Sequence, residues 1–189
     1  MENDTAFFKK LNRDINIDTT FLRSWAEWDS CVNIPKLSDM AVDEAYRFTH
    51  SQSFCDFGQK ITISRSGNIV NLQYIEFSNG DGHASTLEKP DGSIINIPPY
   101  CVIAKQFDKI LSMKEWDELV RRVYAADYWM LASKGHINST DGSFWQIEAY
   151  SNQRIHLVKR QCGCYSVFEN IGRYFLQISG EKTMCSEFF

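Results

Sequence analysis

No stretch of this 189-residue chain approaches the roughly 18 consecutive apolar residues of a bilayer-crossing helix, so no helical membrane span is expected. Clustered basic charge is missing too. Twenty Lys and Arg against 24 Asp and Glu give a formal charge of −4, the wrong balance for a nucleic-acid partner held through many phosphate contacts. The opening MENDTAFFKK lacks a basic segment followed by a hydrophobic one, which points to a cytoplasmic protein. No Gly-rich loop joins a strand to a helix, and no Gly-x-Ser-x-Gly is present. Neither a phosphate cradle nor a nucleophile elbow is therefore legible, and no cofactor or catalytic residue is assigned. Cys-x-x-Cys is absent as well. Cys162 and Cys164 are one residue too close for that metal-ligand spacing. Completing a tetrahedral set would require His156 and a distant Cys185 or Cys55, so no metal is expected. Without a secretory signal, the six cysteines read as reduced thiols.

What is present is apolar surface. With 43% hydrophobic and 14% aromatic residues, the chain can bury a core that offsets the entropy of ordering it. The length suits one domain over residues 17–189, preceded by a short arm at 1–16.

Phe21, Leu22, Trp25 and Trp28 recur on one helical stripe, capped by Asp18 or Thr19 and ended before Pro35. Residues 46–57 favour an extended reading. Ile61-Thr62-Ile63-Ser64 alternates as a strand, Ser66-Gly67-Asn68 turns, and Ile69 to Phe77 returns. Residues 79–100 form an excursion with one reversal, and 101–111 supply another strand. Ser112-x-x-Glu115 has capping-box spacing, and Trp116, Leu119, Val120 and Val123 follow at helical spacing. Asp117 with Arg121, and Glu118 with Arg122, are i,i+4 pairs on the other face. Val167, Phe168, Ile171, Tyr174, Phe175 and Ile178 mark a last amphipathic helix with Gly180 as its cap. The expectation is an α+β fold: an antiparallel sheet of roughly five to seven strands. Helices near Phe21–Trp28, Lys114–Tyr128 and Val167–Ser179 would pack mainly on one face.

The stretch Asp141 to Gly180 holds most of the candidate chemistry. Strands 144–150 and 154–160 are joined at Ser151-Asn152-Gln153. A three-residue loop sets Glu148 opposite His156, with Arg160 farther along the same face; a two-residue loop puts Glu148 and His156 on opposite faces. In the first case Glu148 orients the imidazole, Arg160 holds an anionic group, and Trp145 or Tyr150 forms a stacking wall. Glu148, His156, Arg160 and Trp145 are thus candidate ligand-binding residues, against the alternative of a structural polar network. His50 and His83 have no partner in sequence and His136 sits in a Lys-Gly-His-Ile-Asn loop, so each reads as a surface or structurally satisfied histidine.

Several motifs together carry a resemblance. These are Glu44-Ala45-Tyr46-Arg47-Phe48, Asp141-Gly142-Ser143-x-Trp145-x-x-Glu148, His156-x-Val158-x-Arg160 and the helix ending at Gly180. Over residues 44–180 the chain resembles a large family of uncharacterised bacterial proteins. It departs from that pattern where Ile155 replaces Tyr, Gln161 replaces Trp, and Cys162-Gly163-Cys164 stands where Ser-Pro is common. The resemblance brings no activity with it. Acidic charge, abundant aromatics and the lack of a catalytic order point to a non-catalytic protein-interaction domain, of the immunity or inhibitor kind, whose partner is another protein. The working surface would be an exposed sheet face or the 79–100 excursion. The alternative is a small-ligand binder or enzyme built on Glu148, His156 and Arg160.

Overall fold

The computed structural model describes residues 34–52, 57–79, 85–88, 94–97, 101–133, 143–161 and 167–182. The arm at 1–16, the helix expected at Phe21–Trp28, His83, His136, Cys162 and Cys164 lie outside them.

Six strands form one antiparallel sheet: β1 (Glu44–Gln52), β2 (Phe57–Ser66), β3 (Ile69–Asn79), β6 (Cys101–Leu111), β7 (Ser143–Ser151) and β8 (Arg154–Gln161). Their order is β6-β3-β2-β1-β7-β8, and β4 (Ser85–Glu88) with β5 (Ile94–Ile97) makes a separate hairpin, the reversal expected inside the excursion. Helices α1 (Met113–Ala125) and α2 (Val167–Ser179) cover one face. The expected α+β fold is therefore present, with an antiparallel sheet and its helices on one side.

Register explains the layering. The row Phe107–Tyr74–Ile61–Phe48–Ile147–Val158 crosses all six strands on the helix side, and every member but Phe107 is fully buried. One residue along each strand, the opposite face carries Gln106–Ile75–Lys60–Thr49–Gln146–Lys159. Period-two alternation thus separates an apolar core from a polar face, and each large core side chain contributes about 1.5–3 kcal/mol by its burial. Phe48 stacks on Phe175 of α2 at 5.7 Å between ring centroids, and Tyr46 meets Trp116 of α1 at 5.7 Å.

The helix ends follow from local chemistry. At the start of α1 the Ser112 hydroxyl accepts from the Glu115 N–H at 3.3 Å, while the Ser112 N–H donates to Glu115 Oε2 at 2.7 Å. Glu118 takes both Arg121 and Arg122, each at 2.7 Å, in place of the separate Asp117–Arg121 pair expected from spacing. At the end of α2, Gly180 adopts φ 81° and donates its N–H to Leu176 O at 3.1 Å, the left-handed termination that glycine permits.

Candidate functional site

The connection between β7 and β8 is a two-residue turn. Asn152 and Gln153 have φ of 51° and 60°, and Ser151 pairs directly with Arg154. Two successive positive φ values are the type I′ geometry whose twist matches the flanking strands. Ala149 therefore stands opposite His156 and Glu148 opposite Leu157. The single Glu148–His156–Arg160 cluster does not form, because Glu148 lies on the far face while His156 and Arg160 lie on the helix side.

His156 and Arg160 are spent on backbone. The His156 Nε2–H donates to Leu131 O at 3.0 Å, and the ring packs on Tyr128 and Trp129 at 5.2 and 6.0 Å between centroids. Burial pushes the His156 pKa below its ordinary value, and Arg154 and Arg160 push it the same way. Arg160 donates to Lys159 O and Ala132 O, both at 2.7 Å, with its guanidinium 5.7 Å from the Phe168 ring centre. The buried Tyr128 hydroxyl donates to Ile147 O at 2.7 Å and also lies 3.0 Å from His156 O. Together these contacts fasten residues 128–133 along β8, where the Lys159 N–H donates to Ser133 O at 2.8 Å. Trp145 is 5% exposed and meets Phe48 edge-on at 5.0 Å, so it belongs to the core and offers no open stacking wall.

The far face is not the exposed surface expected at its centre. Arg47 and Lys60 are each 2% exposed. Arg47 donates through Nε to Thr62 Oγ1 at 3.0 Å and through NH2 to Pro35 O at 2.7 Å, while NH1 lies 3.4 Å from Glu148 Oε2. Burial lowers the Lys60 ammonium from its ordinary 10.5 to about 8, with Glu148 opposing that shift. Thr49 Oγ1, between Lys60 and Gln146 in the polar row, is buried without a hydrogen-bond partner. Among the described residues no three His, Cys, Asp or Glu side chains gather in a metal-holding group, and no helix is long and apolar enough to cross a membrane.

The two edges of the sheet differ. Residues 131–133 cover β8, whereas β6 is exposed from Val102 to Gln106 and from Asp108 to Ile110. Beyond its ladder with β3, no backbone hydrogen bond engages β6 among the described residues. Val102, Ile103 and Ile110 are 48%, 46% and 69% exposed. Across from Ala104 the register shifts between Glu76 and Phe77, a bulge that leaves Lys105–Leu111 as an unbroken run. Lys105, Phe107 and Lys109 point to the helix side, and Gln106, Asp108 and Ile110 to the other. Lys105 pairs with Glu181 at 2.6 Å, and Lys109 Nζ donates to Ile178 O at 3.0 Å. Sequence reading recognised this strand but not its position, although two lysines among its apolar residues are a known marker of sheet edges. In comparisons with known proteins, no family model, no curated sequence and no solved structure matches the chain.

Proposed function

We propose that the chain is a protein-interaction domain, of the inhibitor or immunity kind, that receives an extended segment of a partner protein along β6. The observation that carries this reading is the open, 11-residue edge strand. Among the described residues its outward N–H and C=O groups have no backbone partner, which is hydrogen-bonding capacity that an added strand satisfies, and side chains at alternate positions set specificity. The added strand places one set of side chains beside Lys105 and Lys109, where carboxylates are favoured, and the other beside Ile110, where apolar groups are favoured. Two copies paired antiparallel would set the lysines of both along the same side, which disfavours self-association and favours a different, acidic partner.

Selection of random extended peptides against the full chain tests the reading. Enriched peptides are expected to alternate acidic and apolar residues. They should bind the Ile103→Lys/Ile110→Lys variant at least about tenfold more weakly, with its thermal unfolding unchanged, since both side chains are exposed. No enrichment, or enriched peptides indifferent to the two substitutions, would sink the proposal.

A further inference from the structure

A second row on the helix side crosses the sheet as Glu76–Gln59–His50–Trp145, with Ser143 diagonal to His50 on β7. Its polar members form one chain of hydrogen bonds. Gln59 Nε2 donates to Lys182 O at 2.9 Å, and a carbonyl can only accept, so the amide orientation is determined. Nε2 also donates to the Tyr74 hydroxyl at 3.0 Å, and that hydroxyl donates in turn to Glu76 Oε2 at 3.0 Å. The Gln59 carbonyl oxygen is thereby left facing His50 Nδ1 at 3.3 Å, so Nδ1 carries the proton. Nε2 is consequently a lone pair, 2.7 Å from Ser143 Oγ, and accepts the serine proton. His50 is 3% exposed, and its burial beside Gln59 and Trp145 disfavours the imidazolium. Ser143 is the half-buried member at the strand end.

We propose that Ser143 is a nucleophile activated by His50 as general base, with Gln59 as the positioning residue that selects the imidazole tautomer, and that the site accepts activated acyl or phosphonyl groups. The arrangement of nucleophile, base and orienting group is that of serine acyl transfer, independent of which element supplies each part. With an ester, Ser143 Oγ bonds to the carbonyl carbon while its proton passes to His50 Nε2. The carbon–oxygen bond to the leaving alcohol then breaks as Nε2 returns that proton to it. Water repeats the exchange in reverse: it gives a proton to Nε2, bonds to the acyl carbon, and Ser143 Oγ leaves and is reprotonated. This activity is separate from the β6 surface, and neither depends on the other.

The test uses a fluorophosphonate on the full chain at pH 7.5, followed by mass spectrometry. The Oγ–P bond forms, fluoride leaves, and the serine proton goes through His50 to solvent. One adduct at Ser143 is expected, absent in Ser143→Ala and formed about 100-fold more slowly in His50→Gln. Because the neutral imidazole is the active form and burial lowers its pKa, the rate should stay flat through neutral pH. It should fall only as pH drops through a midpoint below the ordinary histidine value of 6.5. Gln59→Leu should move that midpoint and abolish the Nδ1–H signal of His50 in nitrogen-detected NMR, which a purely structural glutamine would leave in place. No adduct on the folded wild type, or a labelling rate that does not follow the protonation of His50 titrated by NMR on the same protein, would overturn the proposal even if His50→Gln does not fold. A wild-type His50 protonated at Nε2 would overturn it as well.

Discussion

The Arg47→Ala variant is expected to lose about 4 kcal/mol of unfolding free energy, read from urea denaturation at pH 7. The guanidinium sits at the centre of the far face and holds three groups at once: Thr62 Oγ1, Pro35 O and the Glu148 carboxylate. Desolvation lowers its pKa and Glu148 counteracts that, which is the balance of a buried ion pair. Truncation removes the donor and leaves a carbonyl, a hydroxyl and a partly buried carboxylate, whose side chain is 17% exposed, without it. Removing one partner of such a pair costs much more than replacing both by apolar groups. The Arg47→Met/Glu148→Leu double variant should lose less than the sum of the single changes, since no carboxylate then faces an absent guanidinium, but should not recover fully, because Lys60 loses Glu148 and the Pro35 carbonyl stays without its donor. A single-variant cost below about 1 kcal/mol would mean that Arg47 is not a structural centre of this face.

Gly172→Ala is expected to destabilise by about 3 kcal/mol, against the intrinsic helix preference that favours alanine by about 1 kcal/mol. Gly172 lies in the middle of α2, above the Trp145 indole. A Cβ there would stand 2.5 Å from Trp145 Cζ3 and 2.8 Å from Phe48 Cε2, distances that ring carbons of a packed core cannot accept. Phe48 is held in turn by Phe175, so the strain has no easy exit. Trp145→Phe should open the contact, so the double variant should lose less than the sum of the single changes, a coupling visible in a double-mutant cycle. A Gly172→Ala variant as stable as the wild type would show that α2 does not approach β7 this closely.

Local signals in the sequence reached the elements whose ends are set by local chemistry. The Ser112–Glu115 box, the Val167–Ser179 stripe with its Gly180 cap, the Gly67-Asn68 turn and the strand over Cys101–Leu111 all follow from spacing and turn residues. Register at the β7–β8 hairpin did not. Asn152 and Gln153 adopt the type I′ turn without the glycine that normally announces it, and one residue of loop length moves Glu148 through the sheet to the other face. His50 looked solitary because Gln59 and Ser143 are 9 and 93 residues away, and they become neighbours only once β2, β1 and β7 are ordered side by side. An exposed far face is the expectation when the helices pack mainly on the other side. Its centre is buried, and polarity along a strand does not reveal what lies over it. The open edge is likewise a property of strand order: β3 and β6 both read as strands, yet only β6 ends the sheet.

Native-state hydrogen exchange across the two sheet edges tests the account most directly, because β6 can receive a partner strand only if its outward amides are unengaged. In residues 102–110, the amides that do not bond to β3 are expected to exchange at nearly unprotected rates. On the opposite edge, the Lys159 amide, donated to Ser133 O, should be protected like the amides of β1 and β2. Uniform protection along β6, matching that of β2, would show the edge to be already covered and would contradict strand addition as its function.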